Sequence, residues 1–150
     1  MTPRQVVEQL LAGITAERWH EAADLYSDDA VVAQPLALPH PSTVRGKAES
    51  AAHFERAAGG PLELVADHIE IHDTADPELV IARYEYRARN RATGASAIVA
   101  NVQIVRVRHG LIVRSEDFHD HAILGAVTGR LSEVVDAAAL RVQTDTEPSR

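Results

Sequence analysis

Apolar residues recur three and four apart in the first part of the chain and two apart after Pro61. This change of period divides a helical part from a sheet part. Val6, Val7, Leu10, Leu11 and Ile14 fall on one helical stripe. Thr2 caps that helix, Pro3 suits its first position, Gln5 completes a capping box, and Gly13 weakens its end. The spacing predicts a second helix over 16–26, with Trp19, Ala22, Ala23 and Tyr26 on one face and "SDDA" (27–30) as its stop. A short strand over 31–34 follows, then a loop stiffened by Pro35, Pro39 and Pro41. "RGKAESAAHFERAAGG" reads as a third helix closed by Gly59 and Gly60.

Four long strands are predicted next: "LELVADHIEIH", "ELVIARYEYRARN", "ASAIVANVQIVRVR" and "LIVRSEDFHDH". "RATG" and "HG" are the turns between the last three. Helices first, then strands joined by short turns, is the order of an α+β domain with a mostly antiparallel sheet. "RLSEVVDAAAL" forms a short helix, and the polar end of the chain has no apolar pattern. The expected organisation is one domain over 1–143 and a disordered tail over 144–150.

Strand alternation assigns some faces. Ala82, Tyr84, Tyr86 and Ala88 turn toward the helices, leaving Arg83, Glu85, Arg87 and Arg89 outside. In the next two strands both faces mix apolar and polar residues, so alternation alone does not choose. Val113, Ser115, Asp117 and His119 form one face of the last strand, against Ile112, Arg114, Glu116 and Phe118.

Composition narrows the function classes. The chain has 150 residues, is 45% apolar, carries a net charge of −7 and contains no cysteine. Disulfides, thiolate catalysis and cysteine-bound zinc are thereby excluded. The acidic balance and the lack of a basic patch argue against nucleic acid, since Glu85 interrupts the arginines at 83, 87 and 89. No apolar run approaches the ~20 residues of a membrane span. No secretion signal is recognisable, so a cytoplasmic setting is expected.

Three helices before a long curved sheet, with "WHEAADLYSDDAVVAQP" after the first helix, resemble the nuclear-transport-factor-2-like cone fold. "ANVQIVRVRHGLIVRSEDF" resembles the last hairpin of its SnoaL-like branch. The resemblance implies a cone-shaped, barrel-like α+β fold with three N-terminal helices on the sheet, an apolar cavity, a homodimer and no cofactor. By similarity to limonene epoxide hydrolase, Asp117 matches a pocket carboxylate, which turns Ser115, Asp117, His119, Asn101 and Gln103 inward.

Relatives with known activities differ in how well their residues map. Ketosteroid isomerase would need a general base where Gln34 stands, a tyrosine where Leu10 stands and a protonated aspartic acid where Gln103 stands. Glutamine cannot take up a proton at neutral pH. Epoxide hydrolysis keeps one carboxylate, Asp117, but has Tyr84 and Tyr86 in place of its Arg and second Asp, and Val31 and Ala33 at water-holding positions. SnoaL-like polyketide cyclases need one acid/base carboxylate in an apolar cavity and are contradicted least.

The expected catalytic group is therefore Asp117, assisted by His119, Tyr84 and Tyr86. Trp19, Tyr26, Gln34, His40, Asn101, Gln103 and Ser115 are expected to bind substrate, a small hydrophobic carbonyl or polyketide-like compound. Enclosure raises the pKa of Asp117, charged His119 lowers it, and the tyrosines, Asn101 and Gln103 are placed to donate to an enolate oxygen. Every assignment has a structural alternative. Asp117 also suits a local bond to Ser115, Trp19 and Tyr26 suit plain core, His40 a solvated loop, His53 a helix surface, and His68 and His72 a sheet surface. Asp117, His119 and His121 alternate along one strand face, but such residues lie ~6.6–6.8 Å apart and converge poorly on a metal, and His121 is expected past the strand's end. A non-catalytic small-molecule-binding or dimerising module is the rival reading.

Overall fold

The computed structural model describes residues 1–142; the tail expected over 144–150 lies outside them. Helix α1 (Pro3–Thr15) begins at the capping box expected, with the Thr2 and Gln5 side chains bonding each other's backbone amides. Its stripe Val6, Val7, Leu10, Leu11 and Ile14 is buried. Helix α2 is shorter than the spacing predicts, Trp19–Ala23. Tyr26 does not end it but opens strand β1 (Tyr26–Gln34), and "SDDA" lies within that strand. The β1 ladder to its parallel neighbour is interrupted between Tyr26 and Val31. Polar Ser27, Asp28 and Asp29 sit in this gap, where no continuous pairing requires an apolar strand.

A second strand, β2 (Ser42–Arg45), was not foreseen in the proline-rich loop. It pairs antiparallel with 31–34 at the sheet edge, directly after Pro41, where a missing N–H costs nothing. Helix α3 (Gly46–Ala58) follows. The four long strands are β3 (Leu62–Asp73), β4 (Leu79–Asn90), β5 (Ser96–Arg108) and β6 (Leu111–His119). His109 and Gly110 both have positive φ, 52° and 74°, the backbone that a two-residue hairpin turn requires.

The strands form one six-stranded sheet in the order β2-β1-β6-β5-β4-β3, antiparallel except for β1 beside β6. This is the mixed α+β architecture expected. Two helices complete it. Helix α4 (His121–Val127) is capped by Asp120, whose side chain accepts from the Ile123 amide at 3.1 Å, and α5 (Leu131–Ala139) is the short helix predicted. His121 is thus a helix residue and not a strand residue. Among the described residues no helix is long and apolar enough to cross a membrane.

The faces of β4 are those expected. Ala82, Tyr84, Tyr86 and Ala88 are buried, while Arg83 and Arg87 reach Glu70 and Asp67 on the outer face. In β6 the simple alternation fails at one place. Ile112 is buried together with Ser115 and Asp117, although they are of opposite parity. Arg106 pairs with Arg114 but Val107 pairs with Ile112, so Val113 is the extra residue of a bulge that resets the phase.

Candidate functional site

Register brings the polar residues together. Across β5 and β6, Gln103 faces Asp117 and Asn101 faces His119; across β4 and β5, Asn101 also faces Tyr84. Asn101, Gln103, Ser115 and Asp117 are all buried. In front of them is a cavity of about 280 Å³. Ile14, Trp19 and Phe54 wall its helical side, and Leu64, Tyr86 and His119 its sheet side. A recess of about 30 Å³ shares Gln34, His53, Phe54 and Asp117 with it and extends to Tyr26 and Ser50.

The candidates divide into three groups. Trp19, Gln34, Tyr86, Gln103, Asp117 and His119 line the main cavity, and Tyr26 borders the recess. Tyr84, Asn101 and Ser115 stand behind this layer and act on it. Tyr84 meets Tyr86 edge-on with ring centroids 5.1 Å apart, and Ser115 donates its hydroxyl to Asp117. His40 takes no part; it is exposed in the loop, with Nδ1 3.1 Å from the Pro41 carbonyl oxygen.

Residues not among those candidates also line the cavity, His53 and Phe54 of α3 among them. The signal was present, because Ser50, His53, Phe54 and Ala57 share a helix face at spacings of three and four. His53 is exposed as a residue, as its helix-surface assignment implied, but stands where the cavity meets solvent. His121 lines the cavity from α4, its ring centroid 5.8 Å from that of His119. Among the described residues no three His, Asp or Glu side chains converge as a metal site.

Hydrogen bonding fixes most of the proton positions. Asn101 Nδ2 donates to the Val99 carbonyl at 2.9 Å and points to that of Tyr84 at 3.5 Å. Its Oδ1 therefore faces His119 Nδ1, 2.7 Å away, and must accept. His119 then carries its proton on Nδ1 and keeps Nε2 as an acceptor. Burial pulls the His119 pKa down to about 4, with the charge of His53 adding to the effect, so the ring is neutral at pH 7. Both donor directions of Asn101 are turned to backbone carbonyls, so its carbonyl oxygen and not its N–H faces the site.

Burial pushes the Asp117 carboxyl up to about 6. The Ser115 hydroxyl, the Gln103 amide and the charge of His53 oppose the rise. The lowering charge comes from His53, where the sequence pointed to His119. Among the described residues no lysine or arginine lines the cavity. Burial also raises the hydroxyl pKa of Tyr26, Tyr84 and Tyr86, keeping all three as neutral donors. Ser115→Ala removes one stabilising donor, so Asp117 should titrate above about 6 in that variant. A ¹³C-carboxyl NMR titration reads the shift; an unchanged midpoint would show that the hydroxyl does not hold the anion.

Comparison with known proteins agrees with this architecture. The model of the SnoaL-like domain family matches residues 7–115. A candidate isomerase from Bacillus subtilis superposes with a TM-score of 0.78 at 20% identity, over 84% of this chain and 91% of that one. A candidate polyketide cyclase from Pseudomonas putida KT2440 gives 0.71 at 18%, covering 85% and 97%. A protein with a ketosteroid isomerase-like fold from Catenulispora acidiphila, in complex with trimethylamine, gives 0.71 at 15%, covering 86% and 95%. These identities establish a shared fold alone. No curated protein matches the chain. With the family match spanning most of the chain, it belongs to the SnoaL-like domain family, on the nuclear-transport-factor-2-like fold.

Proposed function

We propose that the cavity performs cofactor-free acid/base chemistry on a small, mostly hydrophobic carbonyl compound, of the cyclase or isomerase type. One observation carries the reading. A carboxylate only 6% exposed borders an apolar cavity, held by neutral donors and by no lysine or arginine. Such a group has a pKa close to working pH and is efficient both as base and as acid.

In this reaction Asp117 takes a proton from the carbon beside a carbonyl, and the electron pair moves onto the oxygen as an enolate. Tyr86, neutral and in the cavity wall, donates a hydrogen bond to that oxygen, and Tyr84 supports the Tyr86 ring from behind. In an isomerisation the proton returns from Asp117 to a different carbon. In a ring closure the enolate carbon bonds to a second carbonyl, and Asp117 returns the proton to the new alkoxide. Either way Asp117 ends as it began. His119 keeps the wall neutral, which favours a carboxylate that is easily reprotonated.

The test uses acetophenone in D₂O with exchange of its methyl protons followed by NMR. Wild-type protein should accelerate exchange over buffer and Asp117→Asn should not. The rival, a non-catalytic binding module, is favoured by the two local donors that already satisfy Asp117; it predicts bound acetophenone with no enhanced exchange.

A further inference from the structure

We infer that the ligand of this cavity carries a hydroxyl group at its buried end, so that the substrate is a hydroxy-carbonyl compound and not a simple ketone. The inference rests on the acid/base reading above and names the substrate class for that site. It comes from hydrogen-bond accounting along the β5–β6 wall.

Gln103 is 3% exposed and its Oε1 has no hydrogen-bond partner. The amide orientation follows from its neighbour. Gln103 stands opposite Asp117 in the register and stabilises that carboxylate, so its N–H is turned to Asp117. The reverse orientation would set two acceptors against each other. Gln103 Oε1 is therefore an acceptor without a donor. His119 Nε2 is a second acceptor, because Nδ1 spends its proton on Asn101. The Asp117 carboxylate is a third. All three residues border the same cavity.

A wall of acceptors selects a donor. A buried acceptor left unpaired keeps the full cost of its lost hydration, and a ketone oxygen cannot repay it. A ligand hydroxyl can donate to Gln103 Oε1 while its neighbouring C–H faces Asp117. The carbonyl oxygen is then left for Tyr86. Sites that present unpaired polar groups discriminate strongly against analogues lacking the matching group. Gln103 is accordingly a specificity-determining residue that accepts from the ligand, where the sequence alone suggested that it donates.

The experiment compares acetophenone with α-hydroxyacetophenone, which differs by one hydroxyl, by titration calorimetry and by the Gln103 side-chain amide signals in NMR. The hydroxy compound should bind at least tenfold more tightly and shift the Gln103 amide signals. In Gln103→Leu, with an unchanged circular dichroism spectrum, that preference should vanish or reverse. In Gln103→Glu, assayed below pH 5 where the new side chain can offer a neutral carbonyl, part of it should return. Equal binding of the two probes by wild type, or tighter binding of acetophenone, overturns the inference while leaving the acid/base reading intact. A hydroxyl preference that persists in Gln103→Leu also overturns it. Binding of neither probe overturns both.

Discussion

Asp117→Asn should abolish acetophenone exchange and, at pH 7, make the protein more stable. The loss of exchange is expected to be about 10²–10⁴-fold, the usual contribution of a positioned proton carrier. The gain in stability follows from the direction of the pKa shift. Burial raises the carboxyl from 3.8 to about 6, so the folded protein holds this proton more tightly than the unfolded chain. The contribution is fully present below pH 3.8 and is lost as pH rises through about 6. Above that the folded state carries the cost of a buried anion, roughly 3 kcal/mol. A neutral amide of nearly the same shape avoids that cost.

His119 acts in the opposite direction over nearly the same pH window. Its pKa is pulled from 6.5 to about 4, so the unfolded chain takes up a proton first as the pH falls. Its contribution to stability is present above 6.5 and lost toward pH 4, again by roughly 3 kcal/mol. In the wild type the two slopes largely offset each other. In Asp117→Asn the opposing carboxylate slope is gone, and His119, joined by His53 and His121, whose pKa values burial also lowers, should make urea midpoints rise from pH 4 to 6.5. Midpoints that stay level in the variant would mean that the histidines are not desolvated, and a variant midpoint below wild type at pH 7 would mean that the carboxylate is not.

The helices and long strands were legible because each carries an unambiguous period. The stripe of α1 and the alternation of Tyr84 and Tyr86 are both kept in the structure. What the sequence concealed was local departure from period. The bulge at Val113 puts Ile112 and Ser115 on one face, which no rule of alternation anticipates. Strand β2 has only four residues, three of them exposed, and takes its identity from pairing with β1. Histidine on a polar helix ordinarily faces solvent, and His53 does, but only the packing of α3 over the sheet also brings it to the cavity that Asp117 lines. Hydrogen-bond direction was equally invisible. Asn101 and Gln103 are both amides on the right face, yet the backbone takes the donors of Asn101, whereas Gln103 stands opposite Asp117 and leaves its Oε1 without a partner.

Leu11→Ala should cost about 2–5 kcal/mol, the range for a buried leucine truncated to a methyl group. Leu11 is fully buried on α1, whose last turn supplies Ile14 to the cavity wall. For a chain of 150 residues this lowers Tm by roughly 5–15 °C. The same scale applies to the cost of keeping Asp117 charged, so the two effects can be set against each other. If they are independent, Leu11→Ala combined with Asp117→Asn should melt close to wild type at pH 7 while remaining inactive, and Leu11→Ala alone should be destabilised yet exchange-competent at low temperature. The double variant melting as low as Leu11→Ala would show that the carboxylate carries no folding cost.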